Sequence, residues 1–117
     1  MLKKIRLEMA RSKEFPDGSK FHGYELVAPL TKDGHLDAEA WKAAQEKCWV
    51  HRFWQGQADE RGFLQHKAKH WVFSYVPGEE DDEPLFRLGE HVFKPGEYIS
   101  ITEHDGVQRT FTVASIA

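Results

Sequence analysis

A β-hairpin signal near the C-terminus constrains the fold more than any other part of the sequence. Two segments of alternating residues, 97–103 and 107–116, flank His104-Asp105-Gly106. A three-residue loop pairs Ile99 with Phe111 and gives the two strands a common apolar face, which a two-residue loop would not do. Because strand register follows the buried face, we predict the three-residue loop with its glycine in the left-handed conformation.

Strand and turn signals recur at short intervals along the rest of the chain. Ile5, Leu7 and Met9 alternate with charged residues, as in a strand with one buried face. Phe15-Pro16-Asp17-Gly18 has the composition of a type I turn. Further strands are predicted at about residues 24–30, 49–54, 63–66, 71–76 and 85–88.

The only helix signal covers about residues 38–47. Asp37 precedes it as an N-cap, because its carboxylate can accept hydrogen bonds from first-turn amides. Trp41 and Cys48 fall on one face of this helix. With seven or eight short strands and one α-helix, the chain is mainly β, or α+β by strict count. We predict an antiparallel sandwich or a partly closed barrel, with the helix at an open end or an edge.

Composition and charge distribution exclude several classes of protein. The 117-residue chain has a net charge of −3 and 13% aromatic residues, as expected of a globular protein. Its longest stretch without Asp, Glu, Lys or Arg is residues 70–78, far shorter than the about 20 apolar residues that a membrane-spanning helix needs. Cys48 alone allows no internal disulfide. We expect a single cytoplasmic domain with no membrane partner and no secretory signal.

Three segments distributed along the chain resemble a family of small uncharacterised bacterial proteins. They are His22-Gly23-Tyr24-Glu25-Leu26, Asp33-Gly34 leading into Leu36-Asp37-Ala38-Glu39-Ala40-Trp41, and His91-Val92-Phe93-Lys94-Pro95-Gly96-Glu97-Tyr98 followed by Asp105-Gly106. The resemblance covers nearly the whole chain and implies one full-length bacterial domain. It implies no activity, cofactor or site residue, because the family has no assigned function.

The segment 47–71 is the main candidate for a binding surface, because cations and aromatic rings are interleaved along it. Single-stranded nucleic acid sites combine a cationic groove with aromatic platforms. The predicted binding residues are Arg52, Trp54, Arg61, Lys67, Lys69 and Trp71. The same pattern also arises when the aromatic residues form a core and the charges lie on the opposite strand faces. The net negative charge also argues against a dedicated nucleic-acid protein.

The pair His66 and His70 is the weaker candidate for a metal site. Histidines at this spacing converge on one metal when they lie on a helix. The segment reads as a hairpin, in which the two imidazoles could still meet across the turn, with His51 or His91 as a third ligand. The alternative is a pair of exposed hairpin histidines.

No catalytic set and no cofactor loop emerge from the sequence, so we expect neither catalytic residues nor a cofactor. The leading hypothesis is a non-enzymatic binding or protein-interaction domain. The alternatives are a protein that binds single-stranded nucleic acid through residues 47–71, and a small metal-dependent protein or enzyme that uses histidines.

Overall fold

Eight antiparallel strands form one continuous sheet. The computed structural model describes residues 2–67, 70–75, 83–84 and 92–117. The strands are β1 (Leu2–Met9), β2 (Ser19–Pro29), β3 (Trp49–Trp54), β4 (Glu60–Lys67), β5 (His70–Tyr75), β6 (Glu83–Pro84), β7 (Tyr98–Thr102) and β8 (Gln108–Ile116). Across the sheet they lie in the order β6-β5-β4-β3-β2-β1-β8-β7, which confirms the mainly β, antiparallel prediction.

The sheet curls, so that its two faces have different roles. The edge strands β6 and β7 approach each other, which gives a partly closed barrel. The radius of gyration of 13.2 Å is that of one compact domain of this length. The inner face of the sheet carries the core. The largest fully buried apolar side chains of the core are Ile5, Leu7, Tyr24, Leu26, Leu64, Phe73, Phe93, Ile99, Ile101 and Phe111. Since side chains alternate along a strand, every second residue points to the outer face.

The C-terminal hairpin has the predicted register. Ile99 pairs with Phe111, and the carbonyl of Glu97 accepts the amide of Val113 at 2.8 Å. Gly106 has a φ of 83°, the left-handed conformation that the three-residue loop requires. The apolar residues of both strands are buried together, which is the condition from which the register was predicted.

The helix lies where it was predicted, but its α-helical part is short. Helix α1 spans Ala38–Lys42, and a separate 3-10 turn spans Gln45–Lys47. Asp37 is the N-cap, since its Oδ1 accepts the amide of Ala40 at 3.1 Å. The helix predicted over residues 38–47 is not continuous, because it is interrupted at Ala44, which has a φ of −143°.

The interruption follows from two contacts to one residue of β4. The indole of Trp41 donates to the carbonyl of Leu64 at 2.9 Å, and the amide of Leu64 donates to the carbonyl of Cys48 at 2.8 Å. A straight helix would carry two residues seven positions apart to a separation of about 10 Å along its axis. The chain therefore has to turn back between Trp41 and Cys48.

Two glycines are required by the close approach of neighbouring strands. A Cβ atom on Gly62 would lie 2.0 Å from the carbonyl oxygen of Ser74 on β5. A Cβ atom on Gly23 would lie 2.0 Å from the carbonyl oxygen of Leu7 on β1. Both oxygens belong to the backbone, so neither strand can accept a larger residue without moving.

The region between β5 and β7 is described only in part. The predicted strand at 85–88 lies outside the described residues, and β6 is the described strand of this region. Among the residues that the structure describes, no helix is long and apolar enough to cross a membrane.

We predict that Gly62→Ala destabilises the fold by about 3 kcal/mol, because the added methyl group meets a fixed backbone oxygen. Gly56→Ala is the matched control, since a Cβ atom there meets nothing within 4 Å and only the positive φ of 85° opposes it. Its cost should be about 1 kcal/mol. Urea unfolding of both variants measures the difference, and equal costs would contradict the close-approach explanation.

Candidate functional site

A carboxylate is fully buried at one end of the barrel. The side chain of Glu103 has no exposed surface, and both of its oxygens are bonded. Oε2 accepts from the hydroxyl of Tyr24 and from Nε of Arg52, the latter at 3.2 Å. Oε1 accepts from Nη1 of Arg109 at 2.8 Å. We call Tyr24, Arg52, Glu103 and Arg109 the charge cluster.

Strand alternation brings the charge cluster together. Arg52 follows Val50 on the inward-facing positions of β3, and Glu103 continues the inward parity of Ile99 and Ile101 at the end of β7. Arg109 lies opposite Ile101 across the hairpin. The ring of Trp54 completes this end of the barrel, with the Arg52 guanidinium 4.1 Å above it.

Charged side chains at the protein surface contact the charge cluster. Glu14 accepts two hydrogen bonds from Arg109, at 2.9 and 3.2 Å, and this contact lowers the pKa of the Glu14 carboxyl. Burial alone would raise the pKa of Asp105, but hydrogen bonds from the Val107 amide and from Arg109 outweigh it and lower that pKa. His104 Nε2 lies 2.8 Å from Glu60 Oε1. The charges compensate one another, which is the arrangement expected of a structural network.

His22 borders the charge cluster, in surroundings that favour its neutral form. Its ring is 4.5 Å from that of Phe15 and 4.7 Å from that of Trp54, and Nδ1 lies 2.7 Å from Ser19 Oγ. Burial lowers the pKa of His22, and the positive charge of Arg52 adds to this effect. Among the described residues, the hydrogen bond recorded for the His22 ring is the one to Ser19.

The outer face of the sheet carries large aromatic side chains. Phe21 is 55% exposed, Phe63 40% and Trp49 36%, and Phe53 lies half-buried between β2 and β4. We call Phe21, Trp49, Phe53 and Phe63 the aromatic face. Exposed aromatic residues on neighbouring strands are unusual for a surface without a ligand or partner.

Trp49 and Phe63 form the cross-strand pair of this face, because they lie directly opposite each other on β3 and β4. A notch of about 200 Å³ lies beside them, lined by Trp49, Val50, Arg61, Gly62 and Phe63. Arg61 is exposed at its rim and forms no ion pair with any residue that the structure describes. Its cross-strand neighbour His51 instead faces Asp59, with Nε2 and Oδ2 2.9 Å apart.

The structure divides the predicted binding residues between the two faces. Arg52 is 3% exposed and Trp71 4% exposed, so both belong to the interior, and Trp54 lies under the Arg52 guanidinium. Arg61 lies on the outer face. Lys69 and the side chain of Lys67 lie outside the described residues. The six residues therefore do not form one surface, since strand alternation separates Arg61 from the inward-facing members.

The register of the β4–β5 hairpin also separates His66 from His70. His66 pairs with Trp71, and Lys67 pairs with His70. Directly paired residues share a face and adjacent residues do not, so the two imidazoles point to opposite sides of the sheet. The His66 ring stacks on Trp71 at 4.3 Å. Within the described ranges, no group of three or more His, Cys, Asp or Glu residues is placed to hold a metal ion.

Cys48 has the surroundings of a structural thiol. It is fully buried, its Sγ donates to the carbonyl of Ala44 at 3.4 Å, and burial raises the pKa of the thiol. A raised pKa leaves little thiolate at neutral pH, so the site lacks the activation that a nucleophilic cysteine needs.

Sequence reasoning missed Glu103 and Arg109. It counted Trp49 and Phe63 among the aromatic residues of the segment 47–71 but did not include them in the predicted binding residues. A signal for the first two was present, because both occupy positions at which their strands place core residues. An acid and a base at core positions of one hairpin indicate a buried ion pair. For Trp49 the signal was the alternation along β3. Val50 occupies the first inward-facing position of this strand, so the preceding residue, Trp49, faces outward.

Comparison with known proteins yields no relative: no family model, no curated protein and no solved structure matches the chain. The resemblance to small bacterial proteins therefore remains an expectation. The function has to be argued from the geometry of the site alone.

We predict that Glu103→Gln destabilises the protein by about 3 kcal/mol, because it leaves the buried guanidinium of Arg52 and the partly exposed guanidinium of Arg109 without their shared carboxylate. Asp105→Asn is the matched control, since it removes a surface charge from the same Arg109. Exposed ion pairs contribute less than about 1 kcal/mol. Chemical denaturation of the two variants measures this contrast, and a loss in Glu103→Gln no larger than that of the control would refute the assigned role.

We also predict that stability falls as the pH drops below 6.5, the ordinary pKa of histidine, toward the lower pKa of folded His22. In that pH range the unfolded chain binds a proton that the folded chain does not. The free energy of unfolding therefore rises with pH, and the stabilising contribution of His22 is complete above pH 6.5. Urea unfolding from about pH 5 to about pH 8 should show a smaller rise in His22→Gln than in the parent protein. An unchanged pH dependence would contradict the prediction.

Proposed function

We propose that this protein is a non-enzymatic interaction module that binds a protein partner through the Trp49–Phe63 pair of its aromatic face. One observation carries the proposal. Trp49 and Phe63 project side by side from the outer face of β3 and β4, beside a notch whose rim holds Arg61. Tryptophan and arginine are the residues most enriched at the energetic centres of protein interfaces.

The exposure of these rings supports a partner because it leaves large apolar surfaces in contact with water. Trp49 and Phe63 each present more than a third of their surface to solvent. Burial of both rings by a partner would recover about 25 cal/mol for each Å² of apolar surface.

Single-stranded nucleic acid is the second candidate, because cations accompany the rings on the same face. Arg6 lies 4.4 Å over the ring of Phe53, and Lys20 Nζ is 5.5 Å from the ring of Phe21. However, Arg6 occupies the ring face on which a base would stack, and it is paired with Glu8 and Glu25. A nucleic-acid surface needs several cations that are free to meet phosphates. The protein-interaction proposal is therefore favoured.

The test replaces both rings without disturbing the strands. In the double variant Trp49→Thr/Phe63→Thr, the β-branched threonines retain strand propensity but remove the apolar surface. Proteins captured from a lysate of the source organism are compared between the parent chain, this variant and Tyr98→Thr. Tyr98 is the matched control, since it is 62% exposed on β7, away from the notch.

We expect that the parent chain and Tyr98→Thr both capture the same protein in the presence of nuclease. The double variant should not capture it. The captured protein, once purified, should bind the double variant at least about tenfold more weakly, as for the loss of an interface hot spot. Loss of all capture on nuclease treatment would favour the nucleic-acid candidate. Equal capture by the parent and the double variant would refute a role for the aromatic face.

A further inference from the structure

We infer that the partner presents an extended peptide with a large apolar side chain in the notch and a carboxylate two residues away, on Arg61. This inference rests on the proposed function and specifies its ligand. It follows from the spacing of side chains along the outer face of β4, from the shape of the notch and from the distribution of charge around it.

The outward side chains of β4 have the spacing of an extended peptide. Arg61, Phe63 and Gln65 follow one another at two-residue intervals on the outer face. Side chains on one face of a strand repeat at intervals of about 6.6 Å, since each residue advances the strand by about 3.3 Å. An extended peptide that lies over β4 has the same repeat, so its alternate side chains can meet these three residues in turn.

The strand itself is not the point of attachment. β4 is hydrogen-bonded to β3 on one side and to β5 on the other, so its backbone has no free edge for an added strand. Recognition must therefore use side chains that project from the face of the sheet rather than the main-chain pairing of β-augmentation.

The notch between the rings selects an apolar residue. Its volume of about 200 Å³ is bounded by Trp49, Phe63 and the backbone around Val50 and Gly62. A single aromatic or branched aliphatic side chain fits a cavity of this size and would cover both exposed rings. This residue is the anchor of the peptide, since burial of large apolar groups dominates interface energies.

Charge then determines what flanks the anchor. Arg61 is the cation at the rim of the notch, and it forms no ion pair within the described part of the chain. On the other side of Phe63 lies a depression of about 430 Å³, whose lining has one cation and one anion, Lys42 and Glu46, together with the amides of Gln45 and Gln65. The rim of the notch has Arg61 as its one charged lining residue, so a carboxylate is favoured there, and the amides of the depression suit a neutral peptide backbone.

The test is a selection from phage-displayed random peptides on the full folded chain, with counter-selection on Trp49→Thr/Phe63→Thr. We expect an enriched consensus with an aromatic or large aliphatic residue and with Asp or Glu two positions away. A consensus without the acid at this spacing, equal enrichment on the counter-selection variant, or no enrichment would each overturn the inference.

A charge-reversal experiment with the selected peptide tests the assigned contact. Arg61→Glu should weaken binding of the peptide at least tenfold, and a peptide with Lys in place of its acid should regain most of this loss on that variant. Lys94→Glu is the matched control, because it makes the same charge change at an exposed position away from the notch. Equal weakening by both substitutions would show a general charge effect and overturn the contact.

Failure here is distinguishable from failure of the proposed function. If capture of a protein depends on Trp49 and Phe63 but no peptide consensus appears, the partner docks with a folded surface and only the peptide inference falls. If a fluorescent oligothymidine binds in a salt-sensitive manner that requires Trp49 while peptides do not bind, nucleic acid replaces both proposals. Near-ultraviolet circular dichroism establishes that each variant is folded.

Discussion

The carboxylate of Glu103 is the group on which one end of this barrel depends. It connects the β7–β8 hairpin, through its own position and through Arg109, to Tyr24 on β2 and to Arg52 on β3. These strands lie on both sides of β1 in the sheet, so the carboxylate spans the curl rather than a single strand pair. A buried charge costs several kcal/mol unless it is paired and hydrogen-bonded. The burial of each of the four side chains therefore depends on the presence of the other three.

This use of the interior has a consequence for the outer face. β3 sends Val50 and Arg52 inward, and strand alternation then sends Trp49, His51 and Phe53 outward. The rings of Trp49 and Phe53 therefore lie on the outer face. The guanidinium group of Arg52, which would ordinarily be expected at the surface, lies inside. The alternation along β3 that sends Arg52 into the charge cluster also sends Trp49 and Phe53 to the aromatic face. One strand therefore contributes both to stability and to the candidate binding site.

Much of the fold could be predicted from local patterns, whereas the binding site could not. The register of the last hairpin followed from the alternation around Ile99 and Phe111, and the start of the helix followed from the cap at Asp37. The predicted binding residues mixed two faces, because Arg52, Trp54 and Trp71 resemble surface groups only when strand parity is ignored. His66 and His70 were considered as a pair on sequence spacing, and the pairing of His66 with Trp71 separated them.

The sequence by itself determined the antiparallel β class, the order of strands and turns, and the faces of the hairpin between residues 97 and 116, because these depend on interactions among residues near in the chain. Only the tertiary structure decided which charges are buried and which rings are exposed. Glu103 meets Tyr24 and Arg52 across 79 and 51 positions of sequence. Such contacts are set by the curl and pairing of the strands, which no local pattern specifies.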